Sequence, residues 1–231
     1  MSPVHDTLPL LPAWDRPPAW DHGRLRLELA GKTFALTRDE DMESLWEGIG
    51  EDEFGADERM PYWAEIWPAS LLLAAWLGER QATIAGRRCL ELGCGMGLAA
   101  MAGASAGARV TAVDYAWGAV SHAAVNAAAN GTPLSLAVMD WRRPCLRPRS
   151  FDYIWGSDIL YETRFYEPLC ALFRSLLAPD GRIWLSEPWR EISRPVWDRL
   201  AADGFQVTRL HEESVPFATY RSTVGLFEIR P

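Results

Sequence analysis

Lysine is almost missing from this chain: of 23 lysine and arginine residues only Lys32 is lysine, which leaves almost none to act as an internal base or as a target of the protein's own chemistry. An excess of positive charge is missing too. The net charge of -8 argues against a nucleic-acid partner, whose affinity rests on neutralising phosphates, and the local cluster Arg142, Arg143, Arg147 and Arg149 reads as a solvated loop. The four cysteines (Cys89, Cys94, Cys145, Cys170) show no C-x-x-C spacing and the four histidines are scattered. Neither a zinc site nor a disulfide framework is signalled, and no metal is expected. No apolar run approaches the roughly 18 residues that span a bilayer, and the N-terminus lacks the basic and apolar segments of a secretion signal. The expectation is a cytoplasmic protein without a membrane partner. Repeats and low-complexity segments are also absent.

What is present is a glycine-rich turn between strand patterns. Residues 88–92 are apolar apart from their first residue and Glu91, and lead into Gly93, Gly95 and Gly97; a second strand pattern ends on Asp114, 21 residues after the first glycine. Glycine lacks a Cβ, so the backbone can turn sharply and admit a ligand closely, while an acid at the second strand end accepts from ribose hydroxyls. The spacing is G-x-G-x-G and not the G-x-G-x-x-G of dinucleotide sites. Together with Glu91 two residues before the first glycine, it resembles motif I of the S-adenosylmethionine (SAM) dependent methyltransferases, which implies SAM as cofactor.

The remaining pattern is α/β. Strands are predicted near 88–92, 109–113, 134–138, 151–156, 182–186, 205–210 and 223–229, with helices near 97–106, 117–130, 165–177 and 195–203. Such alternation argues for a doubly wound, mostly parallel sheet with its ligands at the carboxyl ends of the strands. Before it, Leu25, Leu27 and Leu29 alternate with charged residues, turn at Ala30-Gly31 and resume through Phe34 and Leu36, a hairpin pattern. Pro68 is placed to open a helix. From Asp39 to Glu58 there are ten acids and no basic residue, read as a solvated connector or as a rim that attracts a basic protein. The expected organisation is an N-terminal extension over 1–60 and a cofactor-binding domain over 61–231.

Three further segments narrow the chemistry. Asp140-Trp141 follows the third strand, where the acid suits the adenine amine and the indole its face; a turn acid beside a core tryptophan has the same pattern. The fourth strand runs into Ser157 and Asp158-Ile-Leu-Tyr161, without the Asn-Pro-Pro-Tyr motif of enzymes that methylate planar nitrogens. Pro61-Tyr-Trp-Ala-Glu-Ile-Trp-Pro68, Asp158-Ile-Leu-Tyr161, Ser186-Glu-Pro-Trp-Arg190 and Ser222-Thr-Val-Gly-Leu-Phe227 resemble the seven-stranded protein lysine methyltransferases, most closely the branch that modifies the beta subunit of electron transfer flavoprotein. The similarity covers about 59–231.

That resemblance implies a seven-stranded Rossmann-like class I fold, with Trp63 and Trp67 over the cofactor and Asp158 and Tyr161 at the acceptor pocket. Ser157 joins Trp63, Trp67, Glu91, Gly93, Gly95, Gly97, Asp114, Asp140 and Trp141 in the expected cofactor set. Glu187, at the fifth strand end, is expected as a second acid in the pocket. The chain departs from the flavoprotein branch in reading Glu187-Pro-Trp for Asp-Pro-Gly and Trp-Pro-Ala-Ser for Trp-Pro-Gly-Gly, so the acceptor protein stays open. Alternatives are a methyltransferase for a small amine or another protein side chain, a SAM-binding scaffold without catalysis, and a nicotinamide oxidoreductase, which the glycine spacing disfavours.

Overall fold

The computed structural model describes residues 8–14, 17–48 and 60–231. Strands β1 (Arg24–Leu29) and β2 (Lys32–Thr37) form the predicted hairpin, closed by the two-residue turn Ala30-Gly31 with both residues at positive φ. The connector that follows is not wholly irregular. Asp41 accepts a 2.8 Å bond from the Ser44 backbone N–H and so caps a helix α1 (Met42–Gly48), while residues 49–59, the rest of the acidic stretch, lie outside the described residues. Helix α2 (Pro68–Gly78) opens with its proline in the first turn, where a missing N–H costs nothing, and is buried almost all round. A short α3 (Gln81–Ile84) leads into the alternating region.

There β3 (Arg88–Leu92), α4 (Leu98–Ser105), β4 (Arg109–Asp114), α5 (Trp117–Ala129), β5 (Ser135–Val138), β6 (Phe151–Ser157), α6 (Tyr166–Leu176), β7 (Leu177–Pro188), α7 (Arg194–Ala202), β8 (Gln206–Phe217) and β9 (Tyr220–Arg230) follow in order. Seven strands make one sheet in the order β5-β4-β3-β6-β7-β9-β8. The five from β5 to β7 run parallel, and β9 is antiparallel to both neighbours. Strand order reverses between β3 and β6, which opens a crevice at their carboxyl ends.

Apolar side chains leave the sheet on both faces, as a covered parallel sheet requires. Leu90, Leu92, Ile154, Ile183 and Leu185 pack with α6 and α7. On the other face Trp155 and Trp184 join α2 and α4 in one cluster that also takes in Leu25, Leu27, Leu29, Phe34 and Leu36 of the hairpin. The hairpin therefore shares the core of the cofactor-binding fold. Asn130 clamps its outer strand by accepting from the Ala35 N–H at 2.9 Å and donating to the Ala35 carbonyl at 2.6 Å.

Candidate active site

A cleft of about 930 Å³ lies over the carboxyl ends of β3, β4, β5 and β6. Its floor is the glycine turn. Gly93 and Gly95 have φ of +66° and +48°, and a Cβ at Gly93 would stand 3.0 Å from the Ile159 side chain, so both the backbone shape and the space call for glycine. Gly97 does not line the cleft. It has φ +85° at the start of α4, where a Cβ would meet Ala123 of α5 at 3.0 Å, so its lack of a side chain lets α4 and α5 approach. Packing against Ala123 accounts for the third glycine, which stands outside the residues that line the cleft.

Asp114 lines the cleft at the end of β4 and splits its carboxylate between two backbone donors, Gly95 N–H at 2.9 Å and Ala116 N–H at 3.0 Å. The expected ribose acceptor is thus also the tie between the glycine turn and the start of α5. Burial raises its pKa, partly offset by those N–H groups. Glu91 lines the same cleft with one carboxylate oxygen buried and without a hydrogen-bond partner. Burial pushes its pKa up to about 8; the Asp114 charge adds to the rise and the neighbouring Trp155 indole opposes it.

Asp140 and Trp141 stand at the far end of the cleft. The Asp140 carboxylate takes the Arg142 backbone N–H at 2.9 Å and the Arg142 guanidinium at 2.8 Å, so it behaves as the turn acid the sequence also allowed. The Trp141 indole lies beside Gly93, edge-on to Phe165 with 5.5 Å between ring centres. Trp117, 73% exposed on the cleft rim at the start of α5, was missed in the sequence, although an aromatic two residues beyond a strand-end turn was the available signal.

The roof comes from the segment before α2. Trp63 packs on the first turn of α5, where a Cβ at Gly118 would clash with its ring at 2.4 Å, and its carbonyl faces Gly95. Trp67 donates its indole N–H to the Tyr62 carbonyl at 2.8 Å and stacks on Phe217, the last residue of β8. Tyr62 meets Tyr161 edge-on at 5.6 Å. A wall of rings thus runs from the cleft to the hairpin tip.

Ser157, Asp158 and Tyr161 line the cleft at the end of β6. Asp158 holds a left-handed backbone (φ +54°), unusual for a residue with a side chain, and its N–H donates to the Ser186 carbonyl at 2.9 Å. Its carboxylate is paired, which the sequence did not signal. Both oxygens pair with the Arg190 guanidinium, one at 3.0 Å and the other closer. Tyr161 is held well above the usual tyrosine range by its packed surroundings and then by the Glu162, Asp114 and Asp158 charges, so it stays a neutral hydroxyl.

Glu187 does not line the cleft. It is buried behind Asp158, with one oxygen accepting from the Ile159 N–H at 2.8 Å and the other unpartnered. Burial, then the Asp158 charge, raises its pKa well above the carboxylate range. Arg190, 32 residues from Asp158 in the chain, and Tyr166, whose hydroxyl reaches the Leu160 carbonyl at 3.1 Å, were not foreseen as parts of this site.

A crevice at the strand-order reversal, glycines at positive φ on its floor and acids at successive strand ends define a class I nucleoside-cofactor fold of the methyltransferase type. The chain belongs to the lysine methyltransferase family, whose model matches residues 56–194. EEF1A lysine methyltransferase 3 of Xenopus tropicalis is 28% identical over 132 residues, covering 55% of this chain and 58% of that protein. Electron transfer flavoprotein beta subunit lysine methyltransferase of Danio rerio is 46% identical over 48 residues, 21% of this chain and 19% of that one. The match thus spans little more than half the length of the first relative and less of the second. Magnesium protoporphyrin IX methyltransferase from Synechocystis, solved with bound S-adenosylhomocysteine (SAH), shares the fold at TM-score 0.52 and 19% identity, covering 69% of this chain and 80% of that chain. SAM is the cofactor of this family. Among the described residues no helix is long and apolar enough to cross a membrane.

Proposed function

We propose that the chain transfers a methyl group from SAM to a lysine side chain of a cytoplasmic protein. The observation that carries the proposal is the placement of Asp158 and Tyr161 on the same cleft as the glycine turn, inside the stretch that matches the lysine methyltransferase family. The cleft fits the cofactor: Glu91 offers a buried, unpartnered carboxylate oxygen to an ammonium, and Gly93 and Gly95 keep clear the space a Cβ would fill. Trp63 and Trp67 roof that space, Asp114 suits the ribose, and Trp141 suits the adenine face. When bound, SAM supplies an electrophilic methyl on a positively charged sulfur.

The protein must present a neutral amine on the axis of that methyl, about 3 to 3.5 Å away. Releasing a proton from a free lysine at pH 7 costs roughly 4.6 kcal/mol, from a pKa near 10.4 at about 1.36 kcal/mol per unit. An unpaired carboxylate would raise that cost by stabilising the ammonium. Here Arg190 neutralises Asp158, and Glu187 is driven toward its uncharged form by burial. The acceptor pocket therefore carries little net charge, its aromatic walls disfavour an ammonium, and the outer lone pairs of Asp158 remain to accept from an amine N–H. Tyr161 adds a neutral hydroxyl and Glu187 holds the Ile159 backbone in place.

A cell extract incubated with this protein and methyl-labelled SAM should show label in a discrete protein band, with lysine methylation in its digest. The first acceptor to inspect is electron transfer flavoprotein beta subunit. Label confined to small molecules would contradict the proposal.

Glu91 gives a second expected outcome. A pKa pushed up to about 8 by burial keeps it mostly protonated at pH 7 in the free protein, and an ammonium bound beside it favours the charged form. SAH binding should then release close to one proton per chain at pH 7, and less as the pH rises past 8. Calorimetry in buffers of different ionisation heat reads this, and Glu91→Gln should lose the release. Equal proton release from both proteins would remove Glu91 from the ligand.

A further inference from the structure

Residues 17–48 lie outside the stretch matched by the family, yet they bond directly to the roof segment and, through Asn126, to the glycine turn. Arg38 follows β2. Its guanidinium, side chain 11% exposed, donates to the Ala64 carbonyl at 3.0 Å and to a Glu65 carboxylate oxygen at 3.0 Å. Glu65 is held on its other oxygen by the Trp20 indole N–H at 2.6 Å and by the Ile66 N–H at 2.8 Å. The Trp20 ring lies under the Arg38 guanidinium at 4.3 Å. Ala64, Glu65 and Ile66 are the three residues between Trp63 and Trp67, so this knot fixes the backbone that carries both roof tryptophans. One residue earlier, the Thr37 N–H donates to Asn126 at 2.8 Å, and the fully buried Asn126 amide donates on to the Met96 carbonyl at 3.2 Å, inside the glycine turn. Roof and floor are both anchored on two adjacent residues of the extension.

We propose that Arg38 is a positioning residue for the cofactor, holding the Trp63–Trp67 roof at a fixed height above the glycine turn, so that the N-terminal hairpin is a working part of the cleft. Several features make arginine the fitting residue. Its planar fork serves a carbonyl and a carboxylate together while its face stacks on an indole, which the point charge of lysine does not reproduce. The pair is also largely shielded from solvent, and an Arg38 substitution leaves Glu65 with a partly buried charge and one fewer donor. The proposal concerns cofactor binding alone and is independent of which acceptor is methylated.

The test measures the affinity and dissociation rate of SAH for the full chain and for Arg38→Met, Arg38→Lys, Glu65→Gln and the Arg38→Met/Glu65→Gln double variant. Leu200→Ala, buried in α7 on the opposite face of the sheet, controls for lost stability. Arg38→Met and Glu65→Gln should each bind SAH about tenfold more weakly, mainly through faster dissociation, and the double variant no more weakly than the worse single, because both act through one wall. Arg38→Lys should recover part of the affinity. Leu200→Ala should melt earlier yet bind SAH like the wild type. Wild-type affinity in folded Arg38→Met overturns the proposal, and so does a loss that follows melting temperature just as in Leu200→Ala. If Arg38→Met does not fold, Glu65→Gln, which preserves side-chain shape, decides by the same criteria.

Discussion

Asp158→Asn should lower turnover on the protein substrate by about 10²- to 10³-fold, the size of effect seen when one preorganised group facing developing charge is removed, while SAH affinity stays within about twofold. The reasoning starts from the charge that moves. Positive charge passes from sulfur to nitrogen during transfer, and Asp158 is one of two carboxylates lining the cleft beside Tyr161, the other being Glu162, which pairs with Arg164. Asparagine keeps the shape and loses the charge. It also leaves the Arg190 guanidinium unmatched, so the pocket gains a net positive charge and opposes the charge forming on the amine. Arg190 is about one-third exposed, which limits the stability cost to well below that of a fully buried orphan charge. The distinguishing reading is therefore kinetic: kcat falls and the melting temperature moves little. Wild-type turnover in Asp158→Asn would remove the carboxylate from the mechanism.

Gly97→Val should strongly damage the fold around the cofactor. The φ of +85° is foreign to a β-branched residue and costs about 1–2 kcal/mol. The new Cβ would lie 3.0 Å from the Ala123 Cβ and 3.2 Å from its Cα, and a backbone atom on the packed face of a helix cannot swing aside as a side-chain end can. Overpacking adds about 1–3 kcal/mol. The sum, about 2–5 kcal/mol, corresponds to a melting temperature lower by about 5–15 °C for a chain of this size. SAH binding should weaken along with it, since α4 begins where the glycine turn ends. Gly131→Ala separates the two causes: it shares the positive φ (+62°) but a Cβ there meets nothing within 4 Å, so it should cost only about 1 kcal/mol. Equal losses in the two variants would refute the packing role of Gly97.

The elements that the sequence revealed are those whose signal is local. Period-two alternation marked the hairpin, and apolar runs closed by glycine or aspartate marked β3, β4 and β6 to within a residue or two. Strand β8 runs on to Phe217, well past the Leu210 expected for it, because His211, Glu212, Glu213 and Ser214 read as loop while their pairing with β9 keeps them extended. Helix α1 hid among acids, although the Asp41 cap three residues before Ser44 was a legible start signal. In the site, the glycine turn and Asp114 were readable from spacing. The Asp158–Arg190 and Arg38–Glu65 pairs were not, because each joins residues 32 or 27 positions apart that only the tertiary fold brings together. Gly97 shows the converse limit, since a motif position can be read correctly while the reason for its glycine lies in a helix 26 residues away, at Ala123.

The central claim is that the crevice opened by the strand-order reversal between β3 and β6 is shaped for a sulfonium nucleoside, and titration calorimetry of the wild-type chain with SAH tests it most directly. The account predicts one site per chain that saturates with SAH and no heat from NAD. Absence of SAH binding by a folded protein, or saturable binding of NAD in its place, would contradict it.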